Sequence, residues 1–541
     1  MFQLKIELKR VQTFIFEVPR LKAMLGANAL IGDTMRHELT VLLRKEGKGK
    51  RLDWPPDLVY PYANDPLNGT EDPDDPAALY ADGILARDGG HFIAVFASEP
   101  EAETFQRSAE ALLAKRLPGV LYEANIEPFP SDQQRSKKQI EPHETALLDL
   151  PILQVCQETG AAPASDRSPK DPESSPKDPD RWQARSVTHR QDWGDAFYAG
   201  ATKDIIGLLR RALYPDQQQN WTKPNDLAQL VAGGYLALIH ADGNDIGKRY
   251  KKHCDRKPEV CNDPDVAKEA HGEAFFHSMR VAVRCALVDA LTQTFKRPTG
   301  ESEEAKKEHF RPYEVLMLGG DDLLLACRAD RALDFAYRYA EELKRYPLAD
   351  GQHLDVAIGV AIAQKSYPLH RLQELADGLA ASAKRLYRSL DDPDKTSVID
   401  WQVVTQSWFE GIAEARHQSE RITYTVNGQT ETLLLTGRPY RVTGEHSLEK
   451  LVNAAHRLDG SDKDKDKAAR SPLRSLRGAC ERGRLMGEMT FAGLTPDVQA
   501  ELGWEQDKLW KSLTMNDQRV HATRALDIIG IREIARLGRK K

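Results

Sequence analysis

Two short apolar runs, Val315 to Leu318 and Leu323 to Ala326, stand either side of Gly319-Gly320-Asp321-Asp322. Runs of this length broken by a glycine pair predict a β-hairpin with two adjacent carboxylates at its tip. Upstream, Leu236 to Ala241 has the length and composition of a central strand and delivers Asp242-Gly243 into a turn that opens towards a helix. Near the N-terminus, Phe2 to Leu8 alternates like a half-buried strand, and Leu21 to Leu30 has helix-forming composition. Gly89-Gly90-His91-Phe92 then precedes an apolar strand, Phe92 to Phe96, a helix, Glu101 to Lys115, and a strand, Val120 to Ile126. Ile6 to Gly89 is 83 positions (89 − 6) and Ile239 to Gly319 is 80 (319 − 239), so the order repeats as a divergent internal duplication would.

The paired acids change the picture from architecture to chemistry. Like charges this close repel and are expensive to desolvate, and a divalent cation between them is the natural compensation. Gly243 has no side chain, so its carbonyl can approach a metal already held by Asp242, giving a hard-oxygen site built from one strand end and one hairpin. Acids on two neighbouring strands suit a two-metal nucleotidyl-transfer centre. One ion lowers the pKa of an attacking hydroxyl and the other neutralises the triphosphate leaving group.

The order of Asp242-Gly243-Asn244 strand end, long helix, Gly-Gly-Asp-Asp hairpin, helix and strand resembles the palm domain shared by GGDEF nucleotide cyclases and polymerases. More closely, it resembles the second palm of the large polymerase/cyclase subunit of type III CRISPR effector complexes, here without a nuclease domain. Asp355 to Ala363 is similar to the strand after the second palm helix of GGDEF domains, and Ala376-Asp377 with Ala383-Lys384 keeps the spacing of the family's AD...AK helix. The resemblance implies that Asp242, Asp321 and Asp322 are catalytic and, with the Gly243 carbonyl, hold Mg2+ or Mn2+. It implies nucleotide contacts from Gly243, Asn244, Lys248, Gly319, Gly320 and Lys384, the two lysines offsetting phosphate charge and the hairpin glycines admitting the triphosphate.

In the first copy the acids are missing: Lys9-Arg10 stands about where Asp242 should be and His91-Phe92 replaces Asp321-Asp322. The first copy is therefore expected to be a structural partner that lends a wall to a nucleotide pocket. The resembled family pairs two palms in one chain, and the opening VQTFIFEVPRLKAMLGANALI looks like its first palm. The fold expected is α+β: two ferredoxin-like palm domains, the first degenerate, with a helical linker region and a mainly helical C-terminal domain. The boundaries are 1–130, 131–230, 231–402 and 403–541.

Elsewhere the reading is plainer. Cys156 stands alone, with Thr159 in the second position of a would-be CxxC, and zinc needs about four N or S ligands, so no zinc is expected there. SPKDP occurs at 168–172 and 175–179 in an exposed, Pro- and charge-rich linker. Thr188-His189-Arg190 and Arg210-Arg211 read as solvated faces, and the helix Asp204 to Leu213 packs between the two palms with no assigned chemistry. His271 and His277, beside the long helix Glu273 to Thr294, read as surface residues. Asn427-Gly428 signals a type I′ hairpin within Arg421 to Val442, Leu458 to Ala468 is too charged and repetitive to pack, and Leu473 to Leu485 and Asp507 to Leu537 read as helical. Arg474, Arg477, Arg482 and Arg484 form a basic cluster that serves either as a solvated face or, as in the resembled family, as a contact to small subunits and RNA.

Composition bounds what remains. A chain of 541 residues has room for several domains, and a formal net charge of −6 gives no strong global pull towards nucleic acid. Six cysteines with no CxxC suit a reducing cytosol, and no signal peptide or long apolar run is present, so a soluble, cytoplasmic protein without membrane contact is expected. No His-Asp dipeptide occurs, and no DNase activity is expected. The function expected is synthesis of cyclic oligoadenylates from ATP in antiviral defence, with CRISPR RNA, effector-complex subunits and an activating target RNA as partners. The alternatives are a nucleotide-binding scaffold subunit of an RNA-guided complex, or a GGDEF-type dinucleotide cyclase.

Overall fold

The computed structural model describes residues 1–55, 58, 64–130, 154–160, 163–168, 181–213, 221–254, 264–296, 310–404, 420–426, 429–459, 470–504, 508–515 and 518–538. The second SPKDP segment, Cys261, Asn427-Gly428, most of the charged run 458–468 and the basic tip at Arg539 lie outside them.

The first unit runs β1 (Phe2–Lys9), α1 (Val11–Phe16), α2 (Leu21–Gly32), α3 (Leu39–Glu46), α4 (Pro76–Ala81), β2 (Ile84–Ala86), β3 (His91–Phe96), α5 (Glu99–Arg116) and β4 (Leu121–Pro128). Its antiparallel sheet has the order β2-β3-β1-β4. Leu4, Ile6 and Leu8 of β1 are buried while the alternate residues are partly exposed, so one face packs and the other meets solvent.

A small hairpin, β5 (Asp166–Ser168) with β6 (Arg181–Gln183), leads to α6 (Arg185–Ala199) and α7 (Ile205–Leu213). The α2–α6 crossing is close because both helices present glycine. A Cβ on Gly26 would lie 1.9 Å from the Arg190 carbonyl oxygen, and one on Gly194 would lie 2.5 Å from that of Lys22. The expected solvated face at Arg190 needs correction. Its side chain is fully buried, 2.5 Å from Glu17 and over the ring of Phe14, because the crossing leaves it no route to water.

The central unit is β7 (Tyr235–Gly243), α8 (Ile246–Cys254), α9 (Pro264–Thr294), β8 (Tyr313–Gly319), β9 (Asp322–Arg328), α10 (Ala332–Leu343), β10 (Val356–Gln364), α11 (Leu369–Ser389) and β11 (Val398–Val403). Its core strand order, β10-β7-β9-β8, repeats that of β4-β1-β3-β2 in the first sheet, again antiparallel throughout. Here β8 and β10 are buried almost along their whole length, as expected of a sheet covered on both faces. One cover is α11, admitted by Gly359, whose added Cβ would lie 2.1 Å from the Ala376 carbonyl oxygen. The other cover is α10, against which α9 packs.

The C-terminal part holds β12 (Arg421–Val426), β13 (Gln429–Leu434), β14 (Tyr440–Arg441), α12 (Leu448–Asp459), α13 (Arg470–Arg482), α14 (Arg484–Ala492), α15 (Pro496–Leu502), β15 (Lys511–Met515), β16 (Gln518–Ala522) and α16 (Ala525–Ala535). The expectation that Asp507 to Leu537 is helical holds for α16 and is corrected before it. β15 and β16 are strands of a sheet ordered β12-β13-β16-β15, and β16 pairs in parallel with β13, Glu431 opposite Arg519. No helix among the described residues is long and apolar enough to cross a membrane.

Candidate active site

The hairpin between β8 and β9 closes at the Gly319–Asp322 pair, leaving Gly320 and Asp321 as a two-residue loop. Gly320 has φ +62°, and Asp321 is not among the residues with positive φ. That is the pattern of a type II′ turn, which puts glycine first. The β7–β9 register runs to Ala241 opposite Leu323, so the next pair is Asp242 opposite Asp322. The two acidic elements expected from sequence therefore meet at one edge of one sheet.

Gly243 faces Asp321. A Cβ on Gly243 would lie 2.6 Å from Asp321 Oδ2 and 2.8 Å from its Cβ, so only glycine permits this approach. Burial, then the charges of Asp322 and Asp242, push the Asp321 carboxyl up to about 6. Lys384, on α11, reaches Asp242 Oδ2 at 2.5 Å. The site thus carries more negative charge than the protein compensates, and its donors are hard oxygens, which fits a divalent cation of the Mg2+ type.

The remaining expected contacts are placed unequally. Gly319 and Gly320 form the hairpin tip, with nothing within 4 Å of a Cβ on Gly319, so a ligand can approach the backbone there. Asn244 is buried, its backbone N–H donates to Asp355 O, and neither side-chain amide atom has a partner. Lys248 is 83 % exposed and paired at 3.6 Å with Asp245.

Sequence reasoning missed two groups. His240, two residues before Asp242 and on the same strand face, lies 2.8 Å from Asp377 and 3.9 Å from Asp322. Burial lowers its pKa, but the two carboxylates outweigh burial and bring it to about 9, so this cation joins the hairpin to α11. A charged residue interrupting an apolar strand was the available signal. Tyr339, on α10, is buried with its hydroxyl unpartnered, and burial followed by the charges of Asp321 and Asp322 raises its pKa.

The equivalent place in the first sheet is filled differently from the sequence expectation. Register puts Ile6 opposite Phe92 and Glu7, not Lys9, opposite His91. One acid therefore remains, but Lys9 at 2.8 Å and Lys5 at 3.1 Å neutralise it. Against the opposing effect of burial, these lysines lower the Glu7 pKa to about 2. The charge a metal would supply is already present.

A cavity of about 200 Å³ separates the two hairpins. Arg87, Asp88, Gly89 and Gly90 form one side, Gly319 and Asp322 another, and Asp204 of the segment before α7 a third. Behind it, Arg36 binds Asp88 at 2.8 Å and Asp72 at 3.2 Å, Arg280 binds Asp74 at 3.0 Å, and Arg284 binds Asp65 at 2.5 Å. His277, expected at the surface, is 5 % exposed here and lies 2.9 Å from the Asp74 carbonyl. Asp65, Asp74 and His277 have metal-ligand spacing, but Arg280 and Arg284 already neutralise both carboxylates.

The Gly243 contact gives a direct test. Gly243→Ala must move the hairpin tip, and displacement of catalytic groups by about 1 Å is enough to cost ~10²-fold, so turnover should fall at least ~10-fold. Unchanged kcat in a folded variant would show that Gly243 and Asp321 do not stay in contact during catalysis.

Residues 235–389 match the family described as Cas10/Cmr2, second palm domain. No curated protein matches the chain. Among solved structures, a Csm1–Csm4 cassette in complex with cA3 is similar at 10 % identity over 100 % of this chain and 70 % of that one, with a TM-score of 0.48. The same cassette in complex with cA4 gives 11 % identity over 99 % and 69 %, with 0.45, and Csm1 from T. onnurineus gives 13 % over 100 % and 70 %, with 0.41.

Proposed function

Since residues 235–389 match the second palm domain of the Cas10/Cmr2 family, we propose that the chain is a metal-dependent nucleotidyltransferase that condenses ATP into cyclic oligoadenylates. The observation that carries this reading is the closure of Asp242-Gly243 onto Asp321, with the Asp321 carboxyl pushed up by its acidic neighbours. Asp242, the Gly243 carbonyl, Asp321 and Asp322 would hold the ions. When bound, magnesium supplies a lowered pKa for the attacking hydroxyl and counter-charge for the leaving group. Gly319 and Gly320 leave the backbone open to phosphate, Lys384 stands ready to move from Asp242 to a phosphate oxygen, and His240 fixes Asp322 relative to α11. The 3′-hydroxyl of one nucleotide attacks the α-phosphate of the next, and pyrophosphate leaves. ATP and the cyclic product follow from the family resemblance.

On this reading the first unit, residues 1–130, is a degenerate palm, supported by the repeated strand order and by the Glu7–Lys9 pair in place of an open acid site. Residues 131–230 connect it to the palm at 231–402, and 403–541 form the last domain. Effector-complex subunits, guide RNA and target RNA are the proposed partners.

Incubating the protein with each labelled NTP and magnesium, with and without guide and target RNA, tests the proposal. Oligoadenylate from ATP alone is expected. No product from any NTP would leave a scaffold subunit, and a GTP-derived dimer would leave a dinucleotide cyclase. His91→Ala should keep turnover within about threefold, because Glu7 is held by lysines and no first-unit group is assigned to metal. A loss as large as that of an Asp321 variant, with folding intact, would place the first unit in the chemistry.

A further inference from the structure

Helix α11 reaches the acid cluster at two points on one face. Lys384 meets Asp242, and Asp377, about two turns earlier, lies 2.8 Å from His240 Nδ1. Register pairs His240 with Gly359 on β10. The missing side chain of Gly359 lets the helix settle there, since an added Cβ would lie 2.1 Å from the Ala376 carbonyl oxygen. That close approach brings Asp377, the next residue, to the histidine ring.

His240 stands between two carboxylates. Its Nε2 is 3.9 Å from Asp322 Oδ1, farther than a hydrogen bond, and neither ring nitrogen has any further partner among the described residues. Asp377 is thus the nearer of the two groups that set the ring's position. Released from it, the ring would need to move only ~1 Å to donate to Asp322. A carboxylate oxygen engaged by an imidazole N–H has lost much of the charge and the lone pair that it offers a divalent cation. Ring and ion therefore compete for Asp322.

We propose that Asp377 is a positioning residue of the acid site: by holding His240 it keeps the ring off Asp322 and leaves that carboxylate open to a divalent cation. The inference rests on the acid pair being a metal site, and it names a residue that sets the affinity of that site.

The test titrates the whole chain with Mn2+, free ion being measured by electron paramagnetic resonance, with the Asp321→Asn, Asp322→Asn double variant as the blank and melting in chelator as the check on folding. Asp377 is 38 % exposed, so Asp377→Ala should fold, and its Mn2+ Kd should rise about tenfold or more, the range for losing the outer partner of a metal site. Asp377→Glu keeps a carboxylate for the ring and should recover most of the loss. The deciding measurement repeats Asp377→Ala in a His240→Leu background. With no ring to close on Asp322, the Kd should change by less than about twofold. A charge acting on the ion through space, or a loosened α11, would cost the same in both backgrounds. An equal loss in both, or no loss in either, overturns the assignment. Oligoadenylate synthesis without this coupling would sink the inference alone. Coupling without product would uphold it and remove the nucleotidyltransferase reading, and a wild-type protein that binds no more Mn2+ than the blank would remove both.

Discussion

Asp321→Asn and Asp322→Asn together should lower turnover at least ~10²-fold, because metal assistance is worth several kcal/mol of barrier and each ~1.4 kcal/mol is tenfold. The change is nearly isosteric, and the loop carries its turn geometry in Gly320, so the fold should survive. Stability without metal should in fact rise. The Asp321 carboxyl titrates at about 6 in the folded protein against an ordinary value of 3.8. A raised carboxyl contributes stability that is fully present below the unfolded pKa and is lost as pH climbs through the folded one. The wild-type melting temperature, measured in chelator, should therefore fall relative to the double variant between about pH 4 and 6. Magnesium should raise the wild-type value and leave the variant unmoved, since a cation stabilises only the state that binds it. A double variant that still makes oligonucleotide at near wild-type rate would end the two-metal assignment.

That site was legible because each half is local. Two apolar runs around a glycine pair, and one strand ending in Asp-Gly, are signals of a few residues, and the 3.6-residue spacing of Ala376, Ala380 and Ala383 marks the helix that carries Lys384. What escaped depends on partners far along the chain. Glu7 opposes His91 by a sheet register, which a slip of one or two residues in reading the strand end conceals. β15 and β16 are strands because β13 supplies an edge, and the segment's own propensity does not say so. Arg190 and His277 look like surface residues in sequence and are buried by helix crossings and by an acidic loop.

The largest stability effect should come from that acidic loop. Arg284 is 2 % exposed, with Nε 3.0 Å and Nη2 2.5 Å from the two oxygens of Asp65, and Nη2 3.0 Å from Asp74. The two aspartates are as deeply buried as the arginine, so Arg284→Met removes a cation that neither water nor a nearby lysine replaces. Arg280 remains on Asp74, leaving Asp65 as the unpaired charge. Removing one partner of a buried ion pair costs about 3–5 kcal/mol, whereas replacing both by neutral groups is often tolerated. Arg284→Met should thus unfold earlier by several degrees, at the rate of about 2–4 °C per kcal/mol for a unit of 150–250 residues. Adding Asp65→Asn should recover most of the loss, and the two changes should be strongly non-additive in a double-mutant cycle. Through Asp74, Arg280 and Asp88 the same network reaches Arg36, which lines the cavity between the hairpins. A loss below about 1 kcal/mol would show that these charges are solvated and that residues 65–88 do not pack on α9.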